Sequence, residues 1–235
     1  LGQDLQGHTA ELWILDDAGQ IPSQSGGPEG QRWHVISEAE RYPTLPAKYT
    51  RLVELARPIA DAYVVWDDDD VYLPWHVAVH ARTLDPDIGA DVSGNRWASR
   101  PAEAWSHPRE VLSTAGRRSL DEPPAIEASA SRFHGSLAIR RDCLDTLGGW
   151  IQTDRATFDQ EMIGALIRHS KAGNPCEIHP PSYVYRWGDT GRHHCSGVMN
   201  RPDWYQLTPI QEPGIVEDFG PQYDDSTRRL LDILT

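Results

Sequence analysis

Lysine is nearly absent from this 235-residue chain. Lys48 and Lys171 are the only two, and all basic residues together number 22 against 35 acidic ones, for a formal net charge of −13. A surface built to follow a phosphate backbone is basic, so general nucleic-acid binding is excluded. The cations that remain are mostly arginines, whose planar fork suits individual carboxylate or phosphate groups. Cysteine is scarce too. Cys143, Cys176 and Cys195 stand far apart with no Cys-x-x-Cys pair, which argues against a zinc knuckle or a disulfide framework and makes a reducing cytoplasm the expected location, with room for peripheral association with a membrane. No run of about eighteen apolar residues could span a bilayer, and no signal-peptide pattern opens the chain. A soluble protein with no transmembrane segment is expected. No glycine-rich phosphate loop and no internal repeat occur. The chain opens on Leu1 rather than Met, as a fragment of something longer would.

What the chain does have is the stretch Ala62 to Pro74, AYVVWDDDDVYLP. Tyr63, Val64, Val65 and Trp66 favour a buried pleated strand. Asp67, Asp68, Asp69 and Asp70 then crowd negative charge at its carboxyl end, where repulsion is costly unless a cation or solvent relieves it. Hard carboxylate oxygens suit Mn²⁺ or Mg²⁺, ions that keep open positions for substrate phosphates. A solvated acidic loop is the alternative for an isolated Asp run.

The remaining segments predict an α/β domain. Leu12 to Leu15 reads as a strand delivering Asp16 and Asp17 to a sheet edge. Residues 20–31, rich in Gly, Ser, Pro and Gln, read as loop, and Trp33 to Ile36 as a second strand. Thr44 can cap a helix that Pro46 helps start, with Leu45, Tyr49, Leu52, Val53, Ala56 and Ile59 at helical spacing. Trp75 to Leu84 reads as helix and Ala90 to Trp97 as strand. Residues 98–130 lack periodicity and read as a long mobile loop of the lid or binding kind. Arg132 to Ile139 reads as strand, and Asp142 to Leu147 as a short helix stopped by Gly148 and Gly149. Phe158 to His169 reads as helix, with Asp159 in its first turn, where the helix dipole alone would favour a carboxylate. Ser182 to Trp187 reads as strand, and residues 188–197 as a polar loop. Adjacent histidines on extended backbone point apart, so at most one of His193 and His194 can join the aspartates. His134, beside Gly135, suits a core hydrogen bond or a ligand contact.

Three motifs in this order, ELWILDDAGQ, AYVVWDDDDVYLP, and FHGSLAIRRDCLDTLGGW followed by the helix with Asp159, resemble the family 2 type of nucleotide-sugar glycosyltransferase. The resemblance covers roughly Glu11 to Gly197. It implies a GT-A-like single domain over residues 1–199, with a mixed, mostly parallel central sheet flanked by helices, and a C-terminal extension with a short helix over 200–235. It implies a nucleotide site at Asp17, which would accept a hydrogen bond from the base, with Arg41 as a further nucleotide contact. Asp67 and Asp69 match the DxD aspartates: Asp69 would be the direct metal ligand, and Asp67 or Asp68 would lie nearer the ribose. His193 or His194 falls where some members place a histidine near the metal; His194 is the candidate taken here. His134, Gly135 and Trp105 are the acceptor-side candidates. Asp159 matches the catalytic base of inverting members, although Phe158 stands where a glutamate often precedes it. The family's opening strand, with its Thr or Ser, Tyr and Asn turn, has no counterpart, and Leu1 to Gln6 would be the end of the helix after it.

The implied activity is metal-dependent sugar transfer from a nucleotide-diphosphate donor, a UDP-sugar first among them, to a hydroxyl of a saccharide or lipid-linked acceptor. Two other classes are compatible with the same Asp run. One is a metal-dependent phosphoesterase or nucleotidyltransferase that also uses His193 and His194; the other is a non-catalytic carbohydrate-binding derivative of a transferase.

Overall fold

Short β-branched and aromatic runs that stop at acidic or glycine turns, and amphipathic segments between them, divide the chain into strands and helices. The computed structural model describes residues 3–67, 70–85, 96–107, 112–113, 116–117, 125–128, 134–155, 157–169 and 171–186. In chain order these form β1 (Ala10–Asp16), β2 (Gln24–Gly26), β3 (Gln31–Ser37), α1 (Leu45–Ala56), β4 (Ala62–Val64), β5 (Val71–Tyr72), α2 (His76–Leu84), β6 (Arg96–Ser99) and β7 (Glu103–His107). They continue through β8 (Leu112–Ser113), β9 (Gly116–Arg117), β10 (Ala125–Ala128), β11 (Ala138–Arg140), α3 (Arg141–Thr146), α4 (Phe158–His169), β12 (Lys171–Gly173) and β13 (Tyr183–Arg186). The result is a mixed α/β domain. Among the described residues no helix is long and apolar enough to cross a membrane.

The strands make three sheets, ordered β1-β3-β2, β12-β6-β11-β4 and β10-β7-β13-β5, besides the small β8–β9 hairpin. This corrects the expected mostly parallel central sheet. Only β1 with β3, β6 with β12 and β7 with β13 run parallel among the described pairings, while β2 on β3, β4 and β6 on β11, β5 on β13 and β7 on β10 are antiparallel. Other segments also differ from expectation. The supposed loop over 20–31 contains β2, and Gly27 and Gly30 at φ +93° and +81° turn the chain into β3. The supposed mobile loop over 98–130 carries β7 to β10, of which β7 pairs with the remote β13. Of the strand expected over 132–139, the described residues form a 3-10 turn, His134–Ser136, before the short β11. Residues 3–6 are not a helix end: Gln6 and Gly7 turn at positive φ, and the Asp4 N–H donates to the Pro74 carbonyl at 2.7 Å. The predicted extension over 200–235 lies outside the described residues.

The helices follow their capping chemistry. Thr44 sits in extended conformation and its Oγ1 accepts the Ala47 N–H at 3.3 Å, with Pro46 in the first turn. Gly148 and Gly149, at φ +81° and +102°, stop α3, and the Gly149 N–H donates to the Leu144 carbonyl at 2.9 Å. The main core joins Val65, Ala98, Leu137 and Ile139 of the β12-β6-β11-β4 layer to Cys143, Leu144, Trp150, Met162 and Leu166 from α3, α4 and the turn between them. Each such aliphatic side chain contributes about 1.5–3 kcal/mol through burial. That core anchors the ends of β4 and α4, and with them Asp67 and Asp159.

Candidate functional site

The sheet carries the chain past β4 through the Val65 N–H, which donates to the Leu137 carbonyl at 2.9 Å, and then leaves it at Trp66. Asp67 is half-buried at this exit. Its Oδ1 accepts the Tyr49 hydroxyl of α1 at 2.9 Å, and its backbone N–H donates to the Tyr72 hydroxyl oxygen at 2.6 Å. Tyr72 and Tyr183 face each other across the β5–β13 ladder, which brings their rings to 5.4 Å. The Tyr183 hydroxyl donates to Asp70 Oδ2. Gly135 closes the group from the other side. A Cβ on it would lie 2.5 Å from Asp67 Oδ2, 3.0 Å from the Tyr72 oxygen and 3.1 Å from the Tyr183 oxygen.

Electrostatics keep both phenols protonated. Burial, and then the charges of Asp67 and Asp70, push the Tyr72 hydroxyl well above the ordinary phenol range. Burial and Asp70 do the same to Tyr183. Asp67 and Asp70 therefore lie against neutral hydrogen-bonding hydroxyls, which lower the cost of holding carboxylates together without cancelling their charge.

The β1 end is a second polar centre. Asp16 organises the turn, accepting the Ala18 N–H at 3.1 Å, the Ile21 N–H at 2.7 Å and the Ser37 hydroxyl at 3.0 Å. Asp17, 7% exposed, accepts Lys48 Nζ at 2.9 Å and the Tyr42 N–H at 3.3 Å. Arg41 precedes Tyr42 in this same segment. The Tyr42 hydroxyl donates to Glu38, which also takes Arg51 Nε at 3.0 Å. Burial and that carboxylate push the Tyr42 phenol up to about 12, while the same hydrogen bond holds Glu38 below the usual carboxylate range.

Asp159 lies in the first turn of α4, partly exposed, with its Oδ1 accepting the Gln160 N–H at 2.7 Å and its Oδ2 the Gln160 side-chain amide at 3.2 Å. Its neighbour Phe158 packs 6.0 Å from the Tyr49 ring, which stacks on Trp150 at 4.9 Å. Tyr49 thus links the Asp67 carboxylate to the start of α4. Of the acceptor-side candidates, His134 opens the 3-10 turn that carries Gly135, and Gly135 abuts Asp67. Trp105 corrects its expected setting: it is a residue of β7, its indole N–H donates to the Pro181 carbonyl at 3.0 Å, and it packs against Val71, Leu73 and Val184.

Asp68, Asp69, His193 and His194 lie outside the described residues. Among the described residues no group of three or more His, Cys, Asp or Glu side chains is arranged to hold a metal ion. Sequence reasoning missed Tyr49, Tyr72, Tyr183 and Lys48. Spacing places Tyr49 on an apolar helix face, and nothing local announces where a hydroxyl at the end of such a ring finds its partner. Tyr72 alone carried a usable signal, two residues beyond the Asp run. Comparison of the chain with protein-family models, with curated proteins and with solved structures finds no match in any of the three.

Proposed function

We propose that this chain is a metal-dependent glycosyltransferase of the nucleotide-sugar type, with a GT-A-like fold, inverting through Asp159. The observation that carries the reading is the Tyr49 link, which ties the carboxylate at the end of β4 to the helix start that presents Asp159. The second and third motifs thereby meet around one side chain, and Gly135, also of the third, packs against the same aspartate from the opposite side.

Carboxylate oxygens are the ligands a hard divalent ion takes, and Asp67 and Asp70 supply two carboxylates at the exit of β4. Asp67, with Asp69 as the motif implies, would hold Mn²⁺ or Mg²⁺; when bound, such an ion offsets negative charge on a diphosphate leaving group. The protein's own groups do the rest. Asp17 accepts a base N–H at the end of β1, next to the Arg41–Tyr42 segment. Asp159 takes the proton from an acceptor hydroxyl as its oxygen attacks the anomeric carbon opposite the leaving group. Its partly exposed position in the first turn of α4 leaves it within reach of an acceptor.

The test is product formation from UDP-, GDP-, CDP- and dTDP-sugars, with and without Mn²⁺. Asp159→Asn should leave nucleotide binding intact and lower turnover by about 10²–10⁴. Asp67→Asn should weaken metal-dependent nucleotide binding itself. Normal sugar transfer by both variants would refute the assignment, and hydrolysis of the nucleotide with no acceptor product would favour the phosphoesterase class.

A further inference from the structure

We propose that Ser25, His34 and Glu11 form a second reactive site, a serine nucleophile with its base and an orienting carboxylate, which transfers acyl groups to water from esters or thioesters with good leaving groups. Three strands assemble it. The parallel register sets Trp13 of β1 beside His34 of β3, and the antiparallel register sets Ser25 of β2 beside the same histidine. Partners in register share a face of the sheet, and so does Glu11, two residues before Trp13. The side chains meet in a continuous chain: Ser25 Oγ lies 3.0 Å from His34 Nδ1, and His34 Nε2 lies 2.9 Å from Glu11 Oε2. Both separations are within the reach that proton transfer from a nucleophile to an oriented base requires. The Trp13 indole stacks on the imidazole with centroids 4.1 Å apart and planes at 23°, which fixes the ring.

The three groups set the direction of the proton. A carboxylate only accepts, so Nε2 carries the hydrogen shared with Glu11; in the neutral ring Nδ1 is then an acceptor, and the Ser25 hydroxyl donates to it. That is the tautomer a base for the serine needs. Two other serine–histidine pairs among the described residues lack this arrangement. His76 with Ser182 and His80 with Ser99 are buried, and neither Nε2 has a hydrogen-bond partner there. A brace between strands needs only the contact of hydroxyl and imidazole, whereas a base is also held and oriented from behind. Ser25 is exposed, while the side chains of His34 and Glu11 are 19% and 28% exposed, so the nucleophile is the member most open to solvent. Among the described residues β2 is an edge of its sheet. Backbone N–H groups alternate in direction along a strand, so the N–H of either Ser25 or Gly26 points away from β3. An N–H of the nucleophile's own residue, or of the next, is a donor to the oxyanion that seryl attack forms. One such donor supplies part of the usual stabilisation, which is why the leaving group must be a phenol or thiol rather than an amine.

In the first step Ser25 Oγ bonds to the acyl carbon as its proton passes to His34 Nδ1, and the phenol or thiol departs with that proton. In the second, water attacks the seryl ester, its proton passes through Nδ1 to Ser25 Oγ, and the carboxylic acid is released. The site goes beyond the transferase reading and shares no residue with it.

The experiment treats the whole chain with a fluorophosphonate, which phosphonylates an activated serine with loss of fluoride, and reads the position by peptide mass; hydrolysis of p-nitrophenyl acetate is followed alongside. Ser25 should label at least about a hundredfold faster than the chain's other serines. His34→Phe keeps a ring on Trp13 without a base, and should lower labelling and hydrolysis by at least about a hundredfold. Glu11→Gln keeps an acceptor for Nε2 and loses only the charge. A brace would be indifferent to it, but here kcat should fall by at least about tenfold at unchanged KM, with part of the loss recovered in Glu11→Asp. Labelling of Ser25 no faster than that of other serines, rates unchanged in His34→Phe or Glu11→Gln, or hydrolysis that survives in Ser25→Ala overturns the proposal. Should a variant not fold, the comparison among serines in the wild-type chain decides by itself.

Discussion

Gly135 shows how much one absent methyl group can matter. Its backbone is not in the left-handed region, so conformational freedom does not explain the glycine; space does. A Cβ would stand 2.5 Å from Asp67 Oδ2, closer than any real contact allows, and the carboxylate cannot swing away without breaking its bond from Tyr49. Gly135→Ala should therefore destabilise the fold by about 1–3 kcal/mol, the usual cost of overpacking, and weaken Mn²⁺-dependent diphosphate binding beyond what the stability loss explains. Urea unfolding and metal titration of the same variant check both halves. Unchanged values in each would mean that the carboxylate is free to move. Sequence reasoning singled out Gly135 for acceptor binding because of its place in a motif. It had no means of seeing that the residue's neighbour would be the aspartate run about seventy positions away.

At the level of elements, α2 makes a claim about pH. Its buried face carries His76 and His80, four residues apart, with Nδ1 atoms paired to Ser182 and Ser99 at 2.9 and 2.8 Å and with no hydrogen-bond partner for either Nε2 among the described residues. Burial holds His76 well below the ordinary imidazole range and lowers His80 to about 3. The folded pKa lies below the unfolded one, so the unfolded chain binds protons that the fold refuses. The stability these neutral rings permit is complete above about pH 6.5 and is lost as pH falls toward the folded values, at up to about 1.4 kcal/mol per pH unit for each histidine. Denaturation midpoints between pH 7.5 and 5, above most carboxylate titration, should fall with acid, and His80→Leu should flatten that slope. A slope unaffected by the substitution would place the acid sensitivity elsewhere. Elements with a local signature were legible in the sequence: Thr44 and Pro46 announced α1, the apolar spacing gave α4 from Phe158 to His169, and the glycine pair ended α3. Strands β2, β8 and β9 were not, because each is only two or three residues long, and β7 and β10 were not, because they owe their existence to distant partners. Trp105 is a strand residue through Val184 and Ile126, and neither lies in its own sequence neighbourhood.

For the molecule as a whole, the charge of −13 sets a long-range field that a nucleotide diphosphate must cross. At fixed Mn²⁺, diphosphate affinity should rise as salt is raised to physiological ionic strength, where the Debye length shrinks to about 8 Å and the repulsion is screened. A steady fall with salt would instead show that a local basic pocket dominates. The mixed α/β class was readable from the alternation of strands and helices. The division into three sheets was not, since pairing across the molecule leaves no mark on composition. The shortage of lysine has a practical side. Lys48 Nζ lies 2.9 Å from Asp17 with its side chain 23% exposed, and Lys171 is the single other amine-bearing side chain. Acylation at Lys48, read by peptide mass, is thus a footprint with almost no background: its rate rises when the ion pair opens and drops when a bound molecule covers the end of the first strand.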